Sequence, residues 1–437
     1  MNTRYHSWGR FPRIDQSALR LAWRSQPLPI PSDAQTTYLP FGNGRSYGDV
    51  CLNAGGWLLD TRGLDRFMAF DPVDGVLRCE GGVLLDEILS LSVPRGWFPP
   101  VVPGTRFVTV GGAIASDVHG KNHHSAGTFG CHVRRLELLR SDGQRLICSP
   151  TENPRWFRAT IGGLGLTGLI LWAEIQLKRI DSAVMDVETI RYGRLDEFFE
   201  LTAQSDRQYE YTVAWIDCMA IGNHLGRGLF IRGNHAAPGV TPVAAPRGRM
   251  TIPVDLPISL INRSSARAFN SFFYHKQARA RSAGREHYEA FFFPLDGIGH
   301  WNRLYGPRGF LQYQCVLPLT GGRDALREIL DRGAHGGIDS FLGVLKVFGD
   351  HPSPGLLSFP RPGITVALDF YHHGETTLRL LDDFDALVST AGGAVYPSKD
   401  ARMAGASFRT YFPRWRELEH YRDPAFSSSF WRRVTGG

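Results

Sequence analysis

Two glycine-rich segments and one histidine-rich string are the stretches of this sequence whose residue types could do chemistry. The first reads Gly42-Asn43-Gly44-Arg45-Ser46-Tyr47-Gly48-Asp49. Closely spaced glycines free successive backbone N–H groups to face an anion, and such a nest suits a pyrophosphate. A plain turn accounts for this segment equally well when it is taken alone, and G-x-G-x-x-G is absent. The second segment runs from Pro103 to Gly120 and carries Gly104, Thr109, Val110, Gly111, Gly112, Ala113 and Ala115. Two such loops some sixty residues apart fit a large dinucleotide held between them better than a single phosphate. Small residues there let the backbone approach a flat cofactor closely. His119-Gly120-Lys121-Asn122-His123-His124 places three histidines in six residues. No H-E-x-x-H and no carboxylate partner stands at ligand spacing, so no metal is expected and the string reads as polar lining or a solvated loop.

The elements that must position these residues are short. TTYLPF reads as a strand entering the first loop, and a helix is predicted near Leu84–Leu91 from Leu85, Ile88 and Leu89. VRRLELLRSDGQRLICSP predicts a hairpin turning at Asp142-Gly143. A Gly-rich turn and a long strand end near Ile180, where the composition shifts. Residues 235–257 are rich in Pro, Ala and Gly and read as a loop or cover. Strand patterns return at GFLQYQCVLP, FLGVLKVFG and GITVALDF, with helical patterns around Arg323–Arg332 and Thr376–Thr390. That order predicts a mixed sheet with helices on one face.

Composition sets the class. The chain has 437 residues, 43% hydrophobic and 21% charged, which excludes a disordered chain and fits two or three domains. Its net charge of +7 suits an anionic ligand or surface, but no basic run or nucleic-acid motif accompanies it, so no nucleic acid is expected. The six cysteines form no C-x-x-C pair and read as thiols in a reducing compartment. The first sixteen residues lack the apolar core of a secretory signal. The expectation is a cytoplasmic protein, with contact at the inner face of a membrane left open.

Taken together, GNGRSYGD, PGTRFVTVGGAIASDVHGKNHHSAGTFGCHV and GGLGLTGLI resemble the FAD-binding (PCMH-type) domain of the vanillyl-alcohol-oxidase flavoproteins. Within these, the sequence is most similar to the decaprenylphosphoryl-β-D-ribose 2′-oxidase branch. That branch forms the flavin subunit of an epimerase making a lipid-linked arabinose for the cell envelope. YTVAWIDC, FFFPLDGIGHWNRLYGPRGFLQYQ and GGAVYPSKDARM extend the resemblance from about residue 8 to about residue 425, most weakly over 235–285. The resemblance implies an α+β protein. An FAD domain would be assembled from 1–182 and 394–437, and a mixed-sheet substrate domain, 183–393, would be inserted in it.

The resemblance also assigns residues. FAD would be held by Gly42, Asn43, Gly44, Arg45, Ser46, Tyr47, Gly104, Thr109, Val110, Gly111, Gly112, Ser116, Asp117, Val118, His119, Ile170 (or Leu171) and Tyr396. Relatives that bind flavin covalently use a histidine in the first loop. This sequence has none there, which implies non-covalent FAD. Lys121, Trp215, Gln312, Gln314, Lys346 and Thr365 fall on the substrate side. Alcohol oxidation needs a base for the hydroxyl proton while a hydride reaches flavin N5. Lys399 could be that base, or could stabilise the charge of reduced flavin. His119 is the competing base, and the sequence leaves the choice open. Lys121 and Lys346 could pair with a phosphodiester. The sequence departs from the family's mycobacterial members at Thr365, Ala367 and Phe292, where Asn, Cys and Tyr stand.

The expected activity is oxidation of the 2′-hydroxyl of a polyprenylphosphoryl-β-D-ribose-like lipid-linked sugar to the 2′-ketone. This is the first half of an epimerisation completed by a short-chain reductase partner. The alternatives are a soluble sugar, alditol or aldonolactone oxidase with the same FAD loops, or a catalytically silent flavin or lipid-sugar binding protein.

Overall fold

The computed structural model describes residues 5–28, 36–246, 250–336 and 340–436. Three sheets carry the architecture. Near the N-terminus, Ser17–Arg20, Trp57–Asp60 and Tyr38–Phe41 form a parallel three-stranded sheet in that order. A five-stranded antiparallel sheet follows, ordered Phe67–Asp71, Val76–Glu80, Leu169–Gln176, Val133–Leu139, Arg145–Cys148. Its last two strands are the predicted hairpin, and Leu85–Ser92 is the predicted helix. That helix buries Leu85, Ile88 and Leu89, and Glu87 caps it by accepting from the Leu84 N–H.

The third sheet has eight strands: Arg281–His287, Val184–Tyr192, Gly228–His235, Tyr211–Ile216, Gly343–Phe348, Gly363–Tyr371, Phe310–Leu317 and Ala394–Val395. Every pairing within it is antiparallel, which corrects the expected mixed sheet. Phe310–Leu317 and Gly343–Phe348 do run parallel across the helix Gly322–His335, as the β–α–β pattern implied. The strand Gly363–Tyr371 then inserts between them and pairs antiparallel with both.

Side chains alternate across a strand, so each strand offers the sheet's two faces in turn. One face presents Tyr313, Cys315, Leu345, Val366 and Leu368 to the largest core, completed by Phe198, Leu326, Ile329, Leu381 and Phe384 from three helices. These three helices lie on that face, but the helix Arg263–Lys276 packs Phe273 on Trp215 at the other, which corrects the expectation of helices on one face only. That other face borders a cavity. The C-terminal tail serves two neighbours. Ala394–Val395 extends the large sheet, and Phe408, Tyr411, Phe430 and Trp431 join its core. Arg433 reaches back to Asp49 at 2.7 Å and to Asp400 at 2.9 Å. The expected division at residue 394 therefore runs through one hydrogen-bonded sheet and one core.

Candidate active site

A cavity of about 890 Å³ lies between the two glycine-rich segments and this second face of the large sheet. All the predicted cofactor and substrate residues line it except Val110 and Asp117. Val110 is fully buried in the core beneath the second segment. Asp117 points away from the cavity, accepting hydrogen bonds from the Gly130 N–H at 2.9 Å and the Ser358 hydroxyl at 2.5 Å. Burial pushes its carboxyl up to about 6. Both residues support the lining and are not part of it. Of Ile170 and Leu171, Ile170 faces the cavity and Leu171 is packed in a separate core.

The first loop follows the strand Tyr38–Phe41 and is tied to the second segment. The Asn43 side-chain amide donates to the Phe107 carbonyl at 2.8 Å. A Cβ on Gly42 would collide with the Thr109 side chain, and Gly44 has φ +59°. Both positions therefore need glycine. The Arg45 guanidinium lies 4.0 Å from the Trp8 ring centroid. The second segment is not an open loop throughout. Val110–Ala115 forms a short helix capped by Thr109, whose hydroxyl accepts from the Gly112 N–H at 3.1 Å. The Gly111 N–H donates to the Gly81 carbonyl at 2.7 Å, bringing this turn against the five-stranded sheet.

These residues fit FAD. Glycines hold the two segments close, open space fronts Gly104, and the cavity lies within the ~300–1,000 Å³ range of small-molecule and cofactor sites. Polar side chains along its wall suit the cofactor's hydrogen-bonding groups.

The sheet face supplies the other wall. Trp215, Val344, Ala367 and Gln314 form one row across four strands, and Lys346 stands opposite Thr365 in the next. The Gln314 amide nitrogen lies 3.0 Å from His119 Nε2 and 3.2 Å from Thr365 Oγ1. His119 is 8% exposed, and its Nδ1 has no partner among the described residues. Burial, then the charges of Lys346, His123 and Lys399, hold its pKa well below the ordinary value, so the ring is neutral at physiological pH.

Three lysines enter this space. Lys121 Nζ donates to the carbonyls of Phe291 and Phe292, and Lys346 Nζ to the Gly120 carbonyl at 3.2 Å. Burial, reinforced by Lys346 and opposed by Glu286, pulls Lys121 down to about 7. Burial alone pulls Lys346 down to about 8. Lys399 is lowered by burial, with Asp369 opposing. His123 and His124 turn elsewhere: His123 packs on Phe348 and His124 Nε2 lies 3.0 Å from the Tyr209 carbonyl. No group of three metal-ligating side chains occurs among the described residues.

Sequence reasoning missed several lining residues. Trp8, Cys51, Phe107, Glu286, Asp296 and Phe341 also face the cavity. Trp8, Glu286, Asp296 and Phe341 carry no local signal, because distant parts of the chain bring them in, whereas Phe107 lies within the second glycine-rich segment and Cys51 just after the first.

Comparison with known proteins matches this geometry. Residues 29–149 match a family described as FAD binding domain. A decaprenylphosphoryl-beta-D-ribose oxidase of Mycolicibacterium smegmatis is 36% identical over 409 residues, covering 90% of this chain and 88% of its own length. An uncharacterized protein of Streptomyces coelicolor is 34% identical over 80% of this chain and 100% of its own length. Cytokinin dehydrogenase 8 of Oryza sativa is 29% identical over 45% of this chain. The cavity walls and this coverage agree: the chain is an FAD-dependent oxidoreductase and belongs to the decaprenylphosphoryl-β-D-ribose oxidase family.

Proposed function

We propose that this protein oxidises the 2′-hydroxyl of a polyprenylphosphoryl-β-D-ribose-like lipid-linked sugar to the 2′-ketone. A short-chain reductase partner would then complete an epimerisation. The observation that carries the reading is the continuity of one cavity, from the paired glycine-rich segments through His119, Lys121 and Lys399 to a sheet face bearing Gln312, Gln314 and Lys346. Bound FAD supplies the acceptor for a hydride.

The chain's own residues do the rest. Gln312 and Gln314 hydrogen-bond the sugar's hydroxyls, and Trp215 closes the side of the pocket. Lys121 and Lys346, both drawn below their ordinary pKa by burial, regain charge when a phosphodiester binds beside them. Lys399 takes the hydroxyl proton, or neutral His119 takes it at Nε2 once the sugar displaces the Gln314 amide from that atom. FAD is held without a covalent bond, since the first loop has no histidine. Residues 1–182 with 394–437 form the FAD side and 183–393 the substrate side.

The lipid chain needs an exit. Phe269, Phe273 and Lys276 of the helix Arg263–Lys276 line the cavity. The same helix exposes Phe272 (67%), and the preceding segment exposes Val254 and Ile258 (68%). Residues 247–249 of the Pro-rich stretch lie outside the described residues. Arg263, Arg267 and Lys276 stand among these apolar side chains, a combination that suits an anionic membrane surface. No helix among the described residues is long and apolar enough to cross a membrane. Anaerobic mixing with a polyprenylphosphoryl ribose tests the reading: it should bleach the oxidised flavin band. Bleaching by a soluble alditol or lactone alone would replace it.

A further inference from the structure

Asp369 is the buried group of this cavity region that the reading above leaves without a task. It lies on the strand Gly363–Tyr371, two residues beyond Ala367 on the same face, and stands opposite Gln312 in register. Its exposure is 0%. Oδ1 accepts from the Gln312 side-chain amide at 2.5 Å. Oδ2 is shielded from solvent and has no hydrogen-bond partner among the described residues. A carboxylate buried in this way needs a nearby cation, because an uncompensated charge there costs far more than one lost hydrogen bond.

The three lysines differ in what holds them. Lys121 and Lys346 donate to backbone carbonyls. Lys399 makes no such bond among the described residues, and its ammonium lies 3.8 Å from the Tyr47 ring centroid. Gln312, which holds Asp369, lines the same cavity as Tyr47 and Lys399, and the Asp369 charge acts on both Lys399 and Tyr47.

We propose that Asp369 is a positioning residue: steered by Gln312, its carboxylate holds Lys399 against the Tyr47 ring and governs when Lys399 carries its proton. The inference rests on the reading of Lys399 as a reactive group. The groups facing Lys399 act in opposite directions. Asp369 favours the charged amine, while burial and Lys346 oppose it. His119, which Lys399 also influences, stays neutral. Removing the carboxylate leaves only the opposing influences, so the amine gives up its proton at lower pH.

The experiment follows Lys399 itself. FAD-loaded protein is exposed to a small amine-acylating reagent between pH 5 and 10, and labelling of Lys399 is mapped by mass spectrometry, with Lys121 and Lys346 as internal references. In Asp369→Asn the midpoint of Lys399 labelling should fall by about one pH unit, giving roughly tenfold more reactive amine below both midpoints. Asp369→Glu should restore most of the wild-type curve. Superimposable Lys399 curves in wild type and Asp369→Asn would overturn the proposal. So would a shift shared equally by Lys121 and Lys346, which marks a general loosening of the cavity. Should Asp369→Asn not fold, Gln312→Leu, which removes the amide that steers the carboxylate, decides: a moved Lys399 curve supports the proposal, and an unmoved one overturns it. No sugar is present, so the outcome is independent of whether a lipid-linked ribose is the substrate.

Discussion

The side-chain amide of Gln314 lies 3.0 Å from Nε2 of His119. With that amide donating, Nε2 is the acceptor and Nδ1 carries the ring proton. Gln314 thus fixes the tautomer and orientation of a ring that is neutral because it is buried among lysines. His119→Ala is expected to slow flavin reduction about 10²- to 10⁴-fold, the range for a positioned acid–base group, with the rate taken per bound FAD. Gln314→Leu should slow it less. Stopped-flow reduction under anaerobic conditions checks both, and wild-type rates in His119→Ala would remove this residue from the chemistry.

Binding of the anionic part of the substrate should weaken with rising pH. Lys121 is drawn down to about 7 and Lys346 to about 8, so each is charged below that value and neutral above it. Affinity for a polyprenylphosphoryl ribose, whose phosphodiester keeps one charge throughout, should therefore be greatest below pH 7 and fall through pH 7–9, by roughly tenfold for about 1.4 kcal/mol of lost attraction. Calorimetry across that interval measures it. A flat profile would mean that these amines do not meet the phosphate.

Arg433 bridges Asp49, next to the first loop, and Asp400, next to Lys399. The carboxylates are 4% and 5% exposed. Arg433→Met leaves both without their cation and should cost about 3–5 kcal/mol. Urea unfolding reads the loss, and a change below about 1 kcal/mol would place the pair among weak surface bridges.

How much of this was legible beforehand follows from where each signal resides. Gln312 and Gln314 alternate on one strand, so their shared face could be read from spacing alone. Their partner Asp369 could not, because it is 57 positions away and meets Gln312 only through strand register. Val110–Ala115 is helical although Gly111 and Gly112 disfavour helix, because Thr109 caps it and Gly111 bonds to Gly81 across the fold. The antiparallel sheet was hidden for a related reason. The β–α–β pattern is real, but sequence order does not show that a later strand fills the gap between its two strands. The two loops themselves were legible because their glycines are local.

Ala367 lines the wall where a thiol stands in the family's mycobacterial members. Among the residues lining the cavity, Cys51 supplies a thiol, but burial pushes it up to about 12, so little thiolate exists at neutral pH. A thiol-directed electrophile fitted to this cavity should leave no adduct on any cavity residue at pH 7, as read by peptide mapping, with the exposed Cys131 lying outside the cavity. A stable adduct mapped to the cavity would contradict this.

The proposed membrane contact is tested by replacing Phe272 and Ile258 with Ser and reversing Arg263 and Arg267 to Glu. Binding to anionic vesicles should fall at least tenfold, with flavin content and reduction by a short-chain substrate retained. Undiminished binding would move the contact elsewhere.

The central claim is that one cavity joins bound FAD to a lipid-linked ribose, and anaerobic flavin titration tests it most directly. The protein is denatured to learn whether FAD leaves with the supernatant, and the native protein is mixed with a polyprenylphosphoryl ribose while the oxidised flavin band is followed. Released FAD with bleaching is the predicted result. Released FAD that no polyprenylphosphoryl ribose bleaches would contradict the substrate assignment.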